Sequence, residues 1–314
     1  MTLRVVEASE QDSQLDPARL GAPIVAVGPL SDASEYWLER ASFTLTEDAS
    51  DDRRVITVPS IDGALADLRR RAERWPIAAA TSDDVLRSVD TAGPALPGVI
   101  TESLAYSTLQ AGPEFARWLS DRGPATVPDI ADPVQAHRDG DTLRIAFNRP
   151  QRHNAFSTDA RAALLEALSV AQLDSSVREV VLTGNGPSFC SGGDLDEFGT
   201  FVDPASAHLA RTRHSPALAL DDVTARLGVA CRAEVHGQVL GSGLEMAAFC
   251  GRVDAAPDAV FGLPELRLGL IPGAGGTVSV TRRIGRWRTA YLVLSGATLD
   301  TETALAWGLV DALR

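Results

Sequence analysis

The stretch Phe261-Gly-Leu-Pro-Glu-Leu-Arg-Leu-Gly-Leu-Ile-Pro-Gly-Ala-Gly-Gly-Thr277 decides how this chain is read. One carboxylate, Glu265, follows a proline and precedes Gly269, Gly273, Gly275 and Gly276. Proline fixes φ and glycine admits conformations closed to other residues. So much of both around one acid specifies a shaped loop, the kind of place where sites sit. A solvated surface loop has the same composition, and the stretch alone does not separate the two.

Upstream lies Glu234-Val-His-Gly-Gln-Val-Leu-Gly-Ser-Gly-Leu-Glu-Met-Ala-Ala-Phe-Cys250. Val239 to Gly243 leads from extended chain into an apolar helix, with Glu245 in its first turn among Leu244, Met246, Ala247 and Ala248. A carboxylate in such company is paired or functional, unless it faces water and simply favours the helix dipole. Further upstream is Ser188-Phe-Cys-Ser-Gly-Gly-Asp-Leu-Asp-Glu197, where a glycine pair precedes a helix start at Asp194. Glycine lets backbone pass close to a ligand, and the N–H groups at a helix start point outward, which suits polarising a carbonyl oxygen. The bland alternative is a plain strand-to-helix turn.

The flanks fit an α/β pattern. Leu143-Arg-Ile-Ala-Phe147 alternates as a strand and Asn148-Arg-Pro150 stops it. Ser157 or Thr158 caps a helix running through Leu164, Leu165 and Leu168, and Arg178 to Thr183 is a second strand. Strand, helix and strand in that order predict a βαβ unit in a parallel sheet. Taken together these segments resemble the crotonase (enoyl-CoA hydratase/isomerase) superfamily. The resemblance is carried by Asn148-Arg-Pro…Asn154-Ala155, Phe189-Cys-Ser-Gly-Gly-Asp-Leu195, Gly237…Gly241-Ser-Gly243…Glu245, the 261–277 stretch and Ser295-Gly…Ala304…Gly308-Leu-Val310. They stand in the family's order over residues 134–314.

That resemblance implies a crotonase-like (ClpP/crotonase) α/β fold, a ββα spiral core over residues 131–314 with a shortened C-terminus. It implies an acyl-CoA thioester substrate whose carbonyl oxygen is held by the N–H groups of Gly193 and Ser242. Serine stands at 242 where the family usually has glycine, and still offers its N–H. The positions of Glu245 and Glu265 match the two glutamates with which hydratases hold a water over the enoyl double bond. Having both implies an enoyl-CoA hydratase, a lyase. Glu245 would orient and activate the water, and Glu265 would exchange a proton at the α-carbon. Arg152, Ala155, Ser191, Asp194, Leu195 and Gly241 would contact substrate or CoA. No metal and no cofactor beyond the substrate's own CoA are implied, and a homo-oligomer, trimer or hexamer, is. Other reactions of the family (double-bond isomerisation, thioester hydrolysis, decarboxylation, aryl-acetyl-CoA oxygenation) and a non-catalytic subunit stay as alternatives.

The chain departs from the family pattern at Asp196, where many hydratases have Lys beside the CoA; Arg149 or Arg152 would have to compensate. Gly251 stands where Asp is common. In Cys231-Arg-Ala-Glu-Val235, Arg232 and Glu234 replace apolar strand residues and are expected to pair toward a neighbouring element. The family's pocket-covering C-terminal helices are not expected after Gly308-Leu-Val310, so either residues 1–130 supply that cover or the protein assembles differently.

Residues 1–130 read as a separate small α/β region without a chemical motif. Pro23–Val27, Val55–Val58 and Pro76–Ala80 are expected as strands. A helix is expected over Ile61–Trp75 with Asp62 as N-cap, and another over 101–121 broken at Gly112-Pro113. Gly123-Pro124 and Pro128 to Pro133 read as a linker. Met1 to Glu10 lacks a secretory pattern, and no run approaches the ~18 apolar residues of a membrane helix, so a cytoplasmic protein off the membrane is expected. A net charge of −13 argues against nucleic acid as partner. Cys190, Cys231 and Cys250 have no disulfide or zinc spacing and read as small buried residues. Of His137, His153, His208, His214 and His236 no pair has metal-site spacing. Gly241-Ser-Gly243 is not the GxSxG of serine hydrolases.

Overall fold

Ile24-Val-Ala-Val27 is apolar at every position, and all four residues are buried, as in a strand covered on both faces. The computed structural model describes residues 3–10, 21–31, 34–128, 130–201 and 203–314. Met1 and Thr2 of the leader reading and Asp129 of the linker lie outside them. The first part of the chain runs β1 (Arg4–Glu7), β2 (Ile24–Val27), α1 (Glu35–Arg40), β3 (Phe43–Thr46), β4 (Val55–Thr57), α2 (Ile61–Arg74), α3 (Pro76–Ser88), α4 (Ala95–Gln110) and α5 (Pro113–Arg122). Its strands form a parallel sheet in the order β1-β2-β3-β4.

Two local expectations are corrected here. Pro76–Ala80 is not a strand but the first turn of α3. Proline is at home at position N1, where no N–H is needed, and Glu114 accepts the free amides of Ile77 (2.8 Å) and Ala78 (3.0 Å). The N-cap of α2 is Ser60, whose Oγ accepts from the Gly63 N–H; Asp62 lies inside the first turn. The break at Gly112-Pro113 separates α4 from α5 as expected, and residues 123–128 form no regular element.

The second part runs β5 (Val134–Asp139), β6 (Thr142–Phe147), α6 (Thr158–Leu173), β7 (Glu179–Gly184), α7 (Pro204–Arg213), α8 (Pro216–Leu227), β8 (Cys231–Val235), β9 (Gln238–Leu240), α9 (Ser242–Ala247), β10 (Arg252–Ala255), β11 (Val260–Gly262), α10 (Gly276–Ser295), β12 (Thr298–Leu299), α11 (Thr301–Trp307) and β13 (Ala312–Leu313). A large sheet has the order β13-β10-β8-β7-β6-β5, parallel except at its β5–β6 end. A small sheet has the order β12-β11-β9. The chain therefore repeats one unit: a strand in the large sheet, a strand in the small sheet, then a helix. β8-β9-α9 and β10-β11-α10 are two turns of it. Ser157 caps α6, and Arg232 pairs with Glu234 and also with Glu179 on β7.

The helix α10 joins the two parts. A single hydrophobic cluster runs from Val25, Phe43 and Leu86 through Tyr106 to Val278, Leu292 and Leu143. Arg71 Nε donates to the Leu294 carbonyl (2.9 Å), and Arg286 Nη1 to that of Ala41 (3.0 Å). α4 crosses the start of α10 at Gly98, where a Cβ would sit 2.5 Å from Val278 Cγ2. Valine is stiff at χ1 and cannot swing away, so only glycine fits this crossing. Gly98→Ala is therefore expected to destabilise by ~1–3 kcal/mol through overpacking, despite alanine's better helix propensity. Adding Val278→Ala to the same chain should recover part of that loss in urea unfolding.

Candidate active site

The site grows out of strand register. Cys190 bridges Val239 of β9, and Val239 pairs with Phe261 of β11, so three extended segments lie side by side and parallel. The first two then turn at the same offset: Gly193 is three residues past Cys190, and Ser242 three past Val239. Gly192 (φ 99°) and Gly241 (φ 49°) make the two turns. A Cβ on Gly241 would lie 3.5 Å from Gly192 Cα and 2.5 Å from Glu265 Oε1, so glycine is needed for both its φ and its crowding. Among the described residues, neither the Gly193 N–H nor the Ser242 N–H has an acceptor. Ser242 is the first residue of α9, where an amide has no intrahelical partner.

The turn carrying Gly193 is pinned from below. Asp194 is buried, and accepts from Arg149 Nη2 (2.8 Å) and Arg152 Nη2 (2.9 Å). The Asn154 side chain accepts from the Arg149 N–H (2.7 Å) and donates to the carbonyls of Asn185 and Ser188. Breaking such a buried pair costs ~3–5 kcal/mol because the surviving charge is left alone.

Three carboxyl groups face the cavity beside these amides. Glu245 Oε2 accepts the N–H groups of Ala274 (2.7 Å) and Gly276 (2.8 Å). Glu102, from α4, accepts those of Gly275 (2.7 Å) and Thr277 (2.8 Å) and the Thr277 hydroxyl (2.7 Å). Glu265 Oε2 is buried without a hydrogen-bond partner. The cavity, about 130 Å³, is lined by these three acids, by Gly193 and Ser242, and by Tyr106, Phe156, Phe198, Arg161 and Arg211 among others.

Burial dominates the acids' proton affinities. It pushes Glu265 up to about 8, with the neighbouring Glu102 charge adding to the effect. It pushes Glu102 up to about 7 against the pull of its Thr277 and Gly275 bonds. Glu245 is raised well above the usual carboxylate range by burial, then by the charges of Glu102 and Glu265, and its two backbone donors oppose this. Arg161 and Arg211 are both lowered by burial. Such a cavity keeps at least one acid protonated near neutral pH beside amide-held carboxyls that can carry charge.

Of the residues singled out from sequence, the cavity wall brings together Gly193, Asp194, Ser242, Glu245 and Glu265. Arg152, Ala155, Ser191, Leu195 and Gly241 lie on the same turns but outside that wall. The Ser191 N–H donates to the His153 carbonyl, and the Ala155 carbonyl accepts from Arg149. Asp194 begins only a single 3-10 turn, Leu195–Glu197, not a full helix. Arg149 is buried, with Nη1 on the Ala155 carbonyl and Nη2 on Asp194, so it is turned inward and not toward a ligand phosphate; Arg152 also pairs with Asp196 (2.6 Å), which offsets that acid's charge. His236 contacts the Gly186 carbonyl, outside the cavity. The residues missed were Glu102, Tyr106, Arg161 and Arg211. Glu102 left one trace: it is the only formal charge in Ala95–Gln110.

Each raised acid stays neutral in the fold at pH values where the unfolded chain ionises. The stability that goes with it is complete below about pH 4.5 and is lost as pH rises through about 7 to 8. The melting temperature is expected to fall between about pH 5 and about pH 9, and to fall less in Glu265→Gln, whose amide cannot ionise. Equal slopes in scanning calorimetry would contradict this.

The enoyl-CoA hydratase/isomerase family model matches residues 138–314. The 2,3-dehydroadipyl-CoA hydratase of Escherichia coli K12 is 36% identical over 169 residues, 54% of this chain and 64% of that protein, so the chain spans under two thirds of this relative's length. The crystal structure of enoyl-CoA hydratase from Thermoplasma volcanium is 34% identical with a TM-score of 0.51, over 59% of this chain and 72% of that one. That of enoyl-CoA hydratase from Mycobacterium smegmatis is 30% identical, TM-score 0.51, over 58% and 69%. With the repeated strand-strand-helix unit and its family match over more than half its length, this chain belongs to the enoyl-CoA hydratase/isomerase family and has the crotonase-like α/β fold.

Proposed function

We propose that the protein adds water across the 2,3 double bond of an enoyl-CoA thioester. The observation that carries this reading is the meeting, in one cavity, of two unengaged main-chain N–H groups, on Gly193 and Ser242, with two buried carboxyls, Glu245 and Glu265. Attack on an enoyl thioester builds negative charge on the thioester oxygen. Fixed donors aimed at that oxygen stabilise it without reorganising, and one such donor is worth ~3 kcal/mol.

The acids divide the proton work. The Ala274 and Gly276 amides on its Oε2 favour the charged form of Glu245 against the rise that burial imposes, and in that form it takes a proton from water while the water oxygen bonds to the β-carbon. The π electrons move to the thioester oxygen, held by the two amides. Glu265, with its proton retained to about pH 8, delivers it to the α-carbon, and the carbonyl re-forms. Glu245 ends protonated and Glu265 ionised, and one proton passing between them restores the site. The hydratase names of the relatives support the reading.

One observation favours a second reading, double-bond isomerisation. Glu265 has a free buried oxygen whereas Glu245 is engaged by two amides, as if one acid alone moved the proton. Crotonyl-CoA separates the two. Loss of its enoyl absorbance is expected with the wild type, and kcat should fall at least about 100-fold in both Glu245→Gln and Glu265→Gln. Turnover of a 3-enoyl-CoA that survives Glu245→Gln and vanishes in Glu265→Gln would replace hydration by isomerisation.

A further inference from the structure

The start of α10 is held in an unusual way. Its N-cap position is Gly275, which has no side chain to accept the free amides of the first turn. Two carboxylates from elsewhere divide four consecutive N–H groups between them. Glu245 takes Ala274 and Gly276; Glu102 takes Gly275 and Thr277. The amides alternate in partner, so the turn that satisfies one carboxylate also serves the other. The backbone of Glu245 is fixed separately, through its N–H on the Gly241 carbonyl and its carbonyl on the Ser279 hydroxyl. What remains to be set is where its carboxyl group points.

We propose that Glu102 is a positioning residue of the active site: by holding Gly275 and Thr277 it keeps the 274–277 turn in the arrangement that aims Ala274 and Gly276 at Glu245, and so fixes the carboxylate that works on water. The role assigned to Glu245 rests on the hydratase reading. The placement of Glu102 does not. It makes the first part of the chain a component of the catalytic site. Gly98, one helical turn before Glu102, admits the close crossing that brings the carboxyl within reach.

Electrostatics point the same way. The charged and titratable groups around Glu102 are Glu245, Glu265 and Arg211, with Tyr106, Arg161 and His214 on the same cavity wall. Arg211 is tied to Ser103, Ser107 and Gln110 of α4 itself. Charge on Glu102 raises the proton affinity of both other acids.

The test uses the full chain with Glu102→Gln and Thr277→Val. Steady-state hydration of crotonyl-CoA is measured beside carbon-13 NMR titration of glutamate carboxyls. In Glu102→Gln, kcat should fall about tenfold or more with KM within about threefold, because the Gly193 and Ser242 amides that take the thioester oxygen in this reading are untouched and glutamine fills the same part of the wall. The Glu265 midpoint, which burial holds well above the usual carboxylate range, should move down as a neighbouring charge is lost. Thr277→Val removes only one of the three bonds to Glu102, and should lower kcat by a smaller factor at unchanged KM. This second variant decides the matter if Glu102→Gln does not fold. A folded Glu102→Gln with wild-type kcat and wild-type carboxyl titration would overturn the proposal, as would a Thr277→Val of unaltered kcat. A wild type that hydrates no enoyl-CoA would remove the hydratase reading alone, since the titrations still judge where Glu102 acts.

Discussion

Four consecutive amides at the start of α10, shared between Glu102 and Glu245, are the constraint on which the rest of the site depends. Helix N-termini carry partial positive charge and free donors, and carboxylates are their natural complement. Here that complement is met in the interior, where unpaired donors and unpaired acids would each be costly. The same contacts cap a helix, attach α4 to the core and orient an acid in the cavity. Structural and chemical demands fall on one set of atoms.

Around this turn the architecture is repetitive. Parallel strands in fixed register place a glycine turn at the same height twice, after Cys190 and Val239, and a proline-led 3-10 turn beside them after Phe261. The first two turns present amides and the third presents Glu265. Convergence of donors and acid is therefore a property of sheet register, and does not require each loop to find its own conformation. Asp194, gripped by Arg149 and Arg152, makes the first turn rigid from beneath.

Much of this was legible in the sequence because it is local. Alternation marked β6, the Ser157 cap marked α6, and the glycine-flanked acids marked the turns bearing Glu245 and Glu265. What failed was either ambiguous or distant. Pro76-Ile-Ala-Ala-Ala80 is apolar at each position after a proline and fits a strand or a helix start; the deciding partner, Glu114, is far along the chain. Glu102 sits on the buried face of a helix whose exposed face carries Leu96, Ile100 and Leu104, so no polar-apolar contrast advertised which side is inward. Arg149, one of two arginines expected to compensate for Asp196, is an interior strut, because nothing in the sequence foretold that Asp194 would be buried beneath it.

The contact between Glu102 and Thr277 joins residues 175 positions apart. Closing a loop of that length adds little to the thermodynamic cost, which grows only with the logarithm of its size, but it weighs on folding speed. On the ribosome α4 emerges long before the amides it will clasp. Its buried acid must wait, hydrated, while the whole strand-and-turn layer is made. The cavity is thus completed only once α10 has been made, and a chain halted before α10 holds one of its buried acids without the amides that acid binds.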